Sequence, residues 1–231
     1  MIKIYTTVGK VHFTFWMSKG RYNKKAPKQY VQNLFDDYAM RFDHHLTEIL
    51  DYKVLEILRK LLQTQLGSHF SVDTVIDLGC GTGLLGQAFR PICRQLVGID
   101  LSPKMLEIAK KKEVYDVIEN IDINKYLNND LEKYDLFIAT DVLIYIGDLS
   151  QLFSNISGAS KSGAVFLFST ESTNTNDYLL TNQGRYAHSD KYVNQLARLH
   201  QFTILNVENT ILRTEEGKGV DGQLFILKYL G

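Results

Sequence analysis

The sequence predicts an α/β fold: a doubly wound, mostly parallel sheet of seven strands, with an antiparallel C-terminal hairpin and a helical N-terminal region. After Gly67, seven short apolar segments recur as buried strands do, and helical segments separate most of them. The last two, near 202–212 and 223–230, are joined only by a polar loop, so they should pair antiparallel. Before Gly67, apolar residues recur three and four positions apart, as on one buried helical face.

The strand segments are short and rich in Val, Ile and Phe, and in order they read TVIDLG, QLVGID, DVIENID, YDLFIATD, GAVFLFST, FTILNVEN and QLFILKYL. The helices predicted between them cover Leu84–Phe89, Lys104–Lys111, Leu149–Ser157 and Asp190–His200. One of these helices has a clear start, because Ser102 can cap a helix and Pro103 suits its first turn.

Two further helices are predicted within residues 30–66, with a break at Asp51 or Tyr52. Residues 1–29 are expected to be an extension or arm, because they contain the polar and basic stretch KGRYNKKAPK with one proline. We therefore expect one domain over residues 30–231, and the two predicted helices should form its N-terminal cap.

Charge and cysteine content narrow the class of protein. Lys plus Arg and Asp plus Glu both number 26, so the formal net charge is +0. A protein that coats duplex nucleic acid usually carries a basic excess, so this balance argues against that class. The two cysteines form no CxxC pair, and no apolar run approaches the ~20 residues of a membrane helix. We expect a cytoplasmic protein with no metal site and no membrane partner.

The stretch VIDLGCGTGLLG, from Val75 to Gly86, points to a ligand site. A strand there runs into a glycine-rich turn that opens a helix, and in doubly wound sheets ligands bind at the carboxyl ends of the strands. Glycines allow close approach of a ligand to the backbone. Asp100 ends the next strand, 17 positions after Gly83, where a carboxylate can accept both ribose hydroxyls of a nucleoside. The alternative for Asp100 is a strand-end cap.

Two nucleoside ligands fit this turn. Gly81, Gly83 and Gly86 satisfy GxGxxG, which is the dinucleotide fingerprint, so an NAD-dependent oxidoreductase is one alternative. Asp77, however, precedes the first glycine by two positions, where its carboxylate would lie near a pyrophosphate of like charge. S-adenosylmethionine (SAM) carries an ammonium and a sulfonium, so the same carboxylate favours it. The charge argument favours SAM over NAD.

These residues resemble the class I SAM-dependent methyltransferases. VIDLGCGTG resembles the first motif of that family and GIDLS the second, NIDI resembles the segment that meets adenine, and YDLFIATDVLIYIGD resembles the fourth-strand motif beside the methyl group. The resemblance covers roughly residue 30 to the C-terminus. LFDDYAMRFDHHL, DVLIYIGDL and GRYAHS are similar to a narrower group, the predicted methyltransferases often fused to tetratricopeptide repeats, although the chain shows no such repeat.

The resemblance implies a Rossmann-like fold, SAM as cofactor and a set of site residues. The glycines would frame the amino-acid part of SAM, with Asp77 near its ammonium, and Asp100 would hold the ribose. Asp122, Ile123 and Leu101 would contact adenine. A lid helix from Tyr30 to Phe42 would close over the site, with Tyr38 and Phe42 facing inward. The implied cofactor-binding residues are Asp77, Gly79, Gly81, Gly83, Asp100, Leu101, Asp122, Ile123, Thr140 and Tyr38.

A general base is useful where the methyl acceptor is a hydroxyl or a cationic amine. The candidate catalytic residues are Asp141, Tyr145 and His188, with Glu171 as a further candidate and His44 and His45 as remote ones. Each has a structural alternative. His188 would tie a loop down, Tyr145 would pack in the core, and the two neighbouring histidines would lie on a helix surface. Arg185 either pairs a substrate carboxylate or phosphate or is a solvated loop residue.

The sequence also bears on the methyl acceptor. Enzymes of this class that methylate the amino groups of nucleic-acid bases or glutamine amides often carry an Asn/Asp-Pro-Pro-aromatic motif after the fourth strand. This chain has TDVLIY at that place, with no proline. A small molecule or a protein is therefore the expected acceptor, and a nucleic acid is not. The remaining alternative is a non-catalytic SAM-binding protein, and the oligomeric state is not predicted.

Overall fold

The computed structural model describes residues 24–49, 54–67, 70–129, 132–175, 177–215 and 217–231. Most of the predicted arm lies outside these residues, and so does the predicted helix break at Asp51 or Tyr52.

Helices cover both faces of a central sheet. In chain order they are α1 (Lys28–Tyr38), α2 (Val54–Leu66), α3 (Leu84–Phe89), α4 (Pro103–Lys111), α5 (Ile123–Asn129), α6 (Ser150–Ala159) and α7 (Asp190–Leu199). Short helical turns continue α1 at Ala39–Arg41, Phe42–His44 and His45–Ile49, and others occupy Arg90–Ile92 and Leu143–Tyr145. Among the helices described, none combines the length and the apolar character that a bilayer crossing requires.

The strands are β1 (Val72–Leu78), β2 (Cys93–Asp100), β3 (Val117–Asn120), β4 (Tyr134–Ala139), β5 (Ser160–Ser172), β6 (Tyr178–Leu180), β7 (Tyr186–His188), β8 (Phe202–Glu215) and β9 (Lys218–Tyr229). The main sheet has the order β3-β2-β1-β4-β5-β9-β8. Its first five strands are parallel, and β9 is antiparallel to both β5 and β8. The predicted doubly wound sheet with an antiparallel C-terminal hairpin is confirmed.

The sequence did not predict β6, β7 or α5. The two short strands pair with each other, and β7 also lies parallel to the end of β5, where Ser172 is the register partner of His188. They extend the sheet above its carboxyl edge, beyond the end of β4. Three residues per strand are too few to produce a period that sequence analysis could detect.

The sheet is buried on both faces, which explains the unbroken apolar runs of its strands. In β1, Ile76 points into one apolar cluster with Phe137 and Phe166, whereas Val75 points into the other with Leu58 of α2. All five side chains are fully buried. The core therefore fixes the height and direction of each strand end, and the loops at the carboxyl edge start from rigid positions.

The described end of the predicted arm is held against the sheet edge. The Ala26 N–H donates to the carbonyl of Tyr145 at 2.9 Å, and the Lys24 carbonyl accepts from the N–H groups of Gly147 and Asp148 at 2.8 Å each. The Lys24 ammonium also pairs with the carboxylate of Asp148 at 2.7 Å. These contacts place the start of α1 beside the loop that follows β4.

A glycine in β9 provides a test of this packing. An added Cβ at Gly222 would lie 2.3 Å from Cδ1 of Leu212 and 2.6 Å from the carbonyl oxygen of Thr170. We expect Gly222→Ala to lower the free energy of unfolding by about 1–3 kcal/mol, because backbone and core would have to shift. The matched control is Gly158→Ala in α6, where nothing lies within 4 Å. That change should stabilise by about 0.5–1 kcal/mol. Urea unfolding of both variants checks the pair, and equal effects would contradict the packing.

Candidate functional site

The loop of residues 79–83, here called the glycine loop, joins β1 to α3 at the carboxyl edge of the sheet. Gly79, Gly81 and Gly83 have φ angles of +79°, +54° and +85°. This left-handed region is strained for residues with a Cβ, which explains why glycine stands at every second position. An added Cβ at Gly81 would meet nothing closer than Cε1 of Phe42, at 3.9 Å.

The amides of the glycine loop are already used within the protein. The N–H groups of Gly79 and Cys80 donate to the carbonyl of Ile99 at 2.8 and 3.0 Å. The N–H of Gly81 donates to Oδ2 of Asp100 at 2.9 Å. These bonds fix the conformation of the loop, so a ligand at this turn would meet the N–H groups at the start of α3 rather than these three.

Asp100 connects the glycine loop with the next helix. Its Oδ1 accepts from the N–H of Ser102 at 2.7 Å while its Oδ2 holds Gly81, so the strand-end cap is present. Burial raises the pKa of Asp100, and the backbone N–H groups of Ser102 and Gly81 oppose that rise. Each carboxylate oxygen keeps a further lone pair, which leaves both able to accept a ribose hydroxyl. The cap and the predicted ribose contact are therefore compatible.

Asp77 lies beneath the glycine loop with only 1% of its surface exposed. The hydroxyl of Tyr115 donates to its Oδ2 at 2.7 Å. Burial raises the pKa of Asp77 to about 7; the Tyr115 hydroxyl opposes this rise and the nearby Asp100 adds to it. Two interacting carboxyl groups beneath one loop make a site that suits a cationic ligand better than a pyrophosphate.

The lid is fastened to this part of the site by two aspartates. Oδ1 of Asp36 in α1 accepts from the hydroxyl of Ser102 at 2.6 Å. Asp43 accepts from the hydroxyl of Thr82 in the glycine loop and pairs with the Lys112 ammonium at 2.7 Å. The lid therefore contacts both the loop and α4, and Phe42, the residue next to Asp43, lies nearest to the open side of Gly81.

Tyr38 is buried in the lid, with its ring centroid 5.3 Å from that of Phe42. Its hydroxyl is bonded to Nδ1 of His45, and burial raises the pKa of Tyr38 to about 12. The predicted surface position of His45 is wrong, since only 8% of the residue is exposed. The predicted surface position of His44 is correct, since its side chain is 64% exposed. Its Nδ1 lies 3.1 Å from Oε1 of Glu48. The cofactor contact of Tyr38 stays a prediction.

The residues expected beside adenine have structural contacts of their own. Asp122 caps α5 by accepting from the N–H of Lys125 at 3.1 Å, and it pairs with the Lys28 ammonium of α1 at 2.9 Å. Leu101 packs in the cluster beneath α1, and Ile123 packs against the sheet core. Their roles toward adenine stay predictions.

Five charged residues form a connected cluster at the carboxyl edge of the sheet, away from the glycine loop. This cluster is here called the charged network. Arg213 of β8 lies at its centre, 2.8 Å from Oδ1 of Asp141, 2.7 Å from Oε1 of Glu215 and bonded to Glu171. Arg185 pairs with Glu171 and with Glu215 at 2.7 Å each. Three carboxylates against two guanidiniums leave one excess negative charge.

Asp141 is held in an unusual backbone conformation within this network. Its φ is +55°, and its N–H donates to Oγ of Ser169 at 2.9 Å. Thr140, which precedes it, is buried. Oδ2 of Asp141 is also buried and accepts no hydrogen bond from the described residues. A strained residue with a buried unpartnered acceptor is typical of a functional position.

The network corrects two predictions. Glu171 is not a free base, because its carboxylate is held by both guanidiniums. Arg185 is neither a solvated residue nor a free anion clamp, since its side chain is 17% exposed and both of its partners are carboxylates of the chain. Although burial acts to lower it, the carboxylates of Asp141, Glu171 and Glu215 hold the pKa of Arg213 well above its ordinary value.

Sequence reasoning did not find Arg213 or Glu215. Arg213 and Glu215 are two residues apart in a strand, so their side chains share a face of the sheet. This Arg-x-Glu spacing was the signal in the sequence that could have indicated the pair. Nothing local indicates that Arg213 meets Asp141, which lies 72 positions away.

Of the remaining candidate bases, Tyr145 packs edge-on against Phe35 of the lid, with ring centroids 5.5 Å apart. Burial raises its pKa, so its hydroxyl is a donor rather than a base at neutral pH. His188 is fully buried; its Nε2–H donates to the carbonyls of Ile146 and Gly147 at 2.9 and 3.1 Å. Burial lowers the pKa of His188 to about 4. This geometry supports the structural alternative for His188, a residue that ties the loop down.

Comparison with known proteins places this site in context. Residues 42–209 match a family model described as a methyltransferase domain. A ubiquinone biosynthesis O-methyltransferase from Coxiella burnetii is 28% identical over 113 residues, which are 46% of this chain and 47% of that protein. A malonyl acyl-carrier-protein O-methyltransferase from Hamiltonella defensa is 34% identical over 106 residues, 46% of this chain and 41% of that protein. The chain thus spans about half the length of the curated relatives it matches.

Solved structures show the same fold. Magnesium protoporphyrin IX methyltransferase from Synechocystis PCC 6803, with bound S-adenosylhomocysteine (SAH), has a TM-score of 0.65 at 17% identity, over 87% of this chain and 99% of that chain. A 4+2 cyclase, SpnF, has a TM-score of 0.68 at 13% identity, over 90% of this chain and 98% of that chain. At these identities the likeness concerns the fold alone.

The role predicted for Asp100 can be measured directly. We expect Asp100→Ala to weaken SAH binding by about 2–4 kcal/mol, because a charge-assisted acceptor of hydrogen bonds is lost. The control is Asp135→Ala: Asp135 also holds a backbone N–H, that of Thr74 at 2.8 Å, but at the amino edge of the sheet. Titration calorimetry checks both variants. An unchanged dissociation constant for Asp100→Ala would contradict the ribose contact.

The charged network makes a prediction about stability. Arg213→Met would leave three carboxylates with one guanidinium, so the free energy of unfolding should fall by about 3–5 kcal/mol. Arg198→Met changes an exposed arginine of α7 and should shift that free energy by no more than about 0.5 kcal/mol. Urea unfolding measures both, and similar values for the two variants would show that the network is not a buried, interdependent unit.

Proposed function

Because the chain belongs to the methyltransferase-domain family, we propose that it is a SAM-dependent methyltransferase whose acceptor is a small molecule or a protein offering a hydroxyl or an amine. The observation that carries the proposal is the glycine loop with the carboxyl groups of Asp77 and Asp100 beneath it. Such a loop supports a nucleoside that carries positive charge.

The residues of this loop fit SAM. The left-handed glycines allow close approach, and Asp100 keeps lone pairs for a ribose diol. Asp77 supplies a carboxyl group for an ammonium, and the engaged amides of Gly79, Cys80 and Gly81 offer little to a pyrophosphate. The NAD alternative lacks the favourable charge, because its pyrophosphate would lie near the carboxyl groups of Asp77 and Asp100.

When bound, SAM supplies a methyl group on a positively charged sulfur, and methyl transfer to oxygen or nitrogen yields SAH and releases a proton from the acceptor. The residues of the chain would align the acceptor and exclude water. Phe42 lies against the loop, and Tyr38 and Phe35 pack around it as one aromatic layer of the lid. We infer that Oδ2 of Asp141, which is buried and has no partner among the described residues, would accept a hydrogen bond from the hydroxyl or amine of the acceptor.

The net charge of the charged network limits which functional groups can accept the methyl group. Its two guanidiniums are both held by carboxylates, and the whole carries one excess negative charge. A carboxylate acceptor would meet repulsion here. A neutral hydroxyl or an amine would not, so the network supports these two acceptors.

The narrower similarity to methyltransferases fused to tetratricopeptide repeats stays a prediction and carries no substrate to this chain. The cytoplasmic location stays a prediction as well.

A labelling experiment tests the proposal. The full chain is incubated with methyl-tritiated SAM and a cell lysate divided by ultrafiltration into small molecules and proteins. We expect label in one fraction, and we expect it to survive alkali, because methyl ethers and N-methyl amines resist hydrolysis that releases methanol from methyl esters. Volatile tritium after alkali would show carboxylate methylation and contradict the acceptor class.

The remaining outcomes distinguish the alternatives. SAH binding by calorimetry with no label in any fraction would support a non-catalytic SAM-binding protein. Binding of NADH, followed by its fluorescence, without binding of SAH would support the oxidoreductase. The same incubation with heat-denatured chain is the control for chemical methylation by SAM.

A further inference from the structure

Tyr115 occupies a slot that three glycines leave open beneath the glycine loop. A Cβ at Gly86 would lie 2.4 Å from Cζ of Tyr115, one at Gly98 would lie 2.9 Å from Cδ1, and one at Gly83 would lie 3.0 Å from Cε2. The ring therefore fits only because side chains are absent from β2, from α3 and from the last position of the loop. Gly83 and Gly86, which match the dinucleotide fingerprint, have a packing explanation here.

The packing of the ring in this slot directs the Tyr115 hydroxyl toward the carboxyl group of Asp77. The hydroxyl donates to Oδ2 of Asp77 at 2.7 Å, and Asp77 is almost fully buried. The other titratable groups that act on this pair are Asp100 at the end of β2 and the Cys80 thiol in the loop. Burial raises the pKa of that thiol further above neutrality, so Asp77 and Asp100 are the acids that matter there.

We propose that Tyr115 is a positioning residue of the SAM site, whose hydroxyl orients the carboxylate of Asp77 beneath the glycine loop for the ammonium of the cofactor. The inference rests on the proposed function, since it requires that SAM binds at this loop. Tyr115 touches neither a reacting atom nor the acceptor and acts through Asp77.

The protonation of Asp77 gives this role a measurable signature. Burial raises its pKa to about 7, the Tyr115 hydroxyl acts in the opposite direction, and Asp100 acts in the same direction as burial. The ammonium group that SAH shares with SAM binds the charged carboxylate better, so SAH affinity should rise as the pH increases through about 7. Without the hydroxyl, the carboxylate is less stabilised and the rise should occur at higher pH.

The test is Tyr115→Phe in the full chain, which keeps the ring in the slot and removes only the donor. SAH dissociation constants are measured by calorimetry between mildly acidic and mildly alkaline pH. We expect binding by the variant to be roughly fivefold weaker at neutral pH and to approach wild type at alkaline pH. Asp77→Asn should lose the pH dependence, and Tyr115→Phe added to it should cause no further loss.

Tyr192→Phe is the matched control, because the Tyr192 hydroxyl also bonds an aspartate, Asp148, at 3.3 Å, away from the glycine loop. It should leave the pH profile unchanged. A Tyr115→Phe profile that superimposes on wild type, or a loss that is equal at every pH, would overturn the inference, the second because it shows a merely structural role. If the wild-type chain binds no SAH at any pH, the proposed function itself fails, and the inference fails with it.

Discussion

The carboxylate of Asp100 joins the two parts of the chain on which the site depends. One oxygen holds Gly81 in the loop after β1, and the other holds Ser102 at the start of α4. Two neighbouring strands therefore end in a single fixed crevice rather than in two independent loops. Because Ser102 also binds Asp36, the position of the lid follows from the same junction. Burial opposes the charge on Asp100, and the backbone donors around it offset that cost.

Carboxyl groups lie at two places along this edge, and their positions are set before any ligand arrives. Asp77 and Asp100 lie beneath one end, and the charged network with its excess carboxylate lies at the other. Arg213 binds three carboxylates at once, so the side chains around it have little freedom to reorganise. The left-handed backbone of Asp141 is kept in place by this network and by Ser169. Charges held in place in this way favour the binding of a cation and need no rearrangement when it binds.

The sequence was sufficient where structure depends on near neighbours. Strand periodicity and the helix start at Ser102 involve residues within a few positions, and both predictions are confirmed. The glycine spacing is equally local, and the three glycines have left-handed φ angles. The sequence was insufficient where contacts are distant. Asp141 was named as a candidate, but its partner Arg213 was not, because their pairing depends on how β8 lies across the sheet. His45 failed for a different reason: its partner Tyr38 is only seven positions away, but the chain between them forms consecutive short helical turns rather than one regular helix.

The slot around Tyr115 also constrains how this sequence can diverge. Positions 83, 86, 98 and 115 share one volume, so none of them can grow unless another shrinks. In descendants of this chain, alanine at position 86 should be accompanied by a smaller residue at position 115, and the loss of that hydroxyl would leave the acid at position 77 without its donor. Substitutions at positions 83, 86, 98 and 115 should therefore be correlated, and position 77 should change as a consequence.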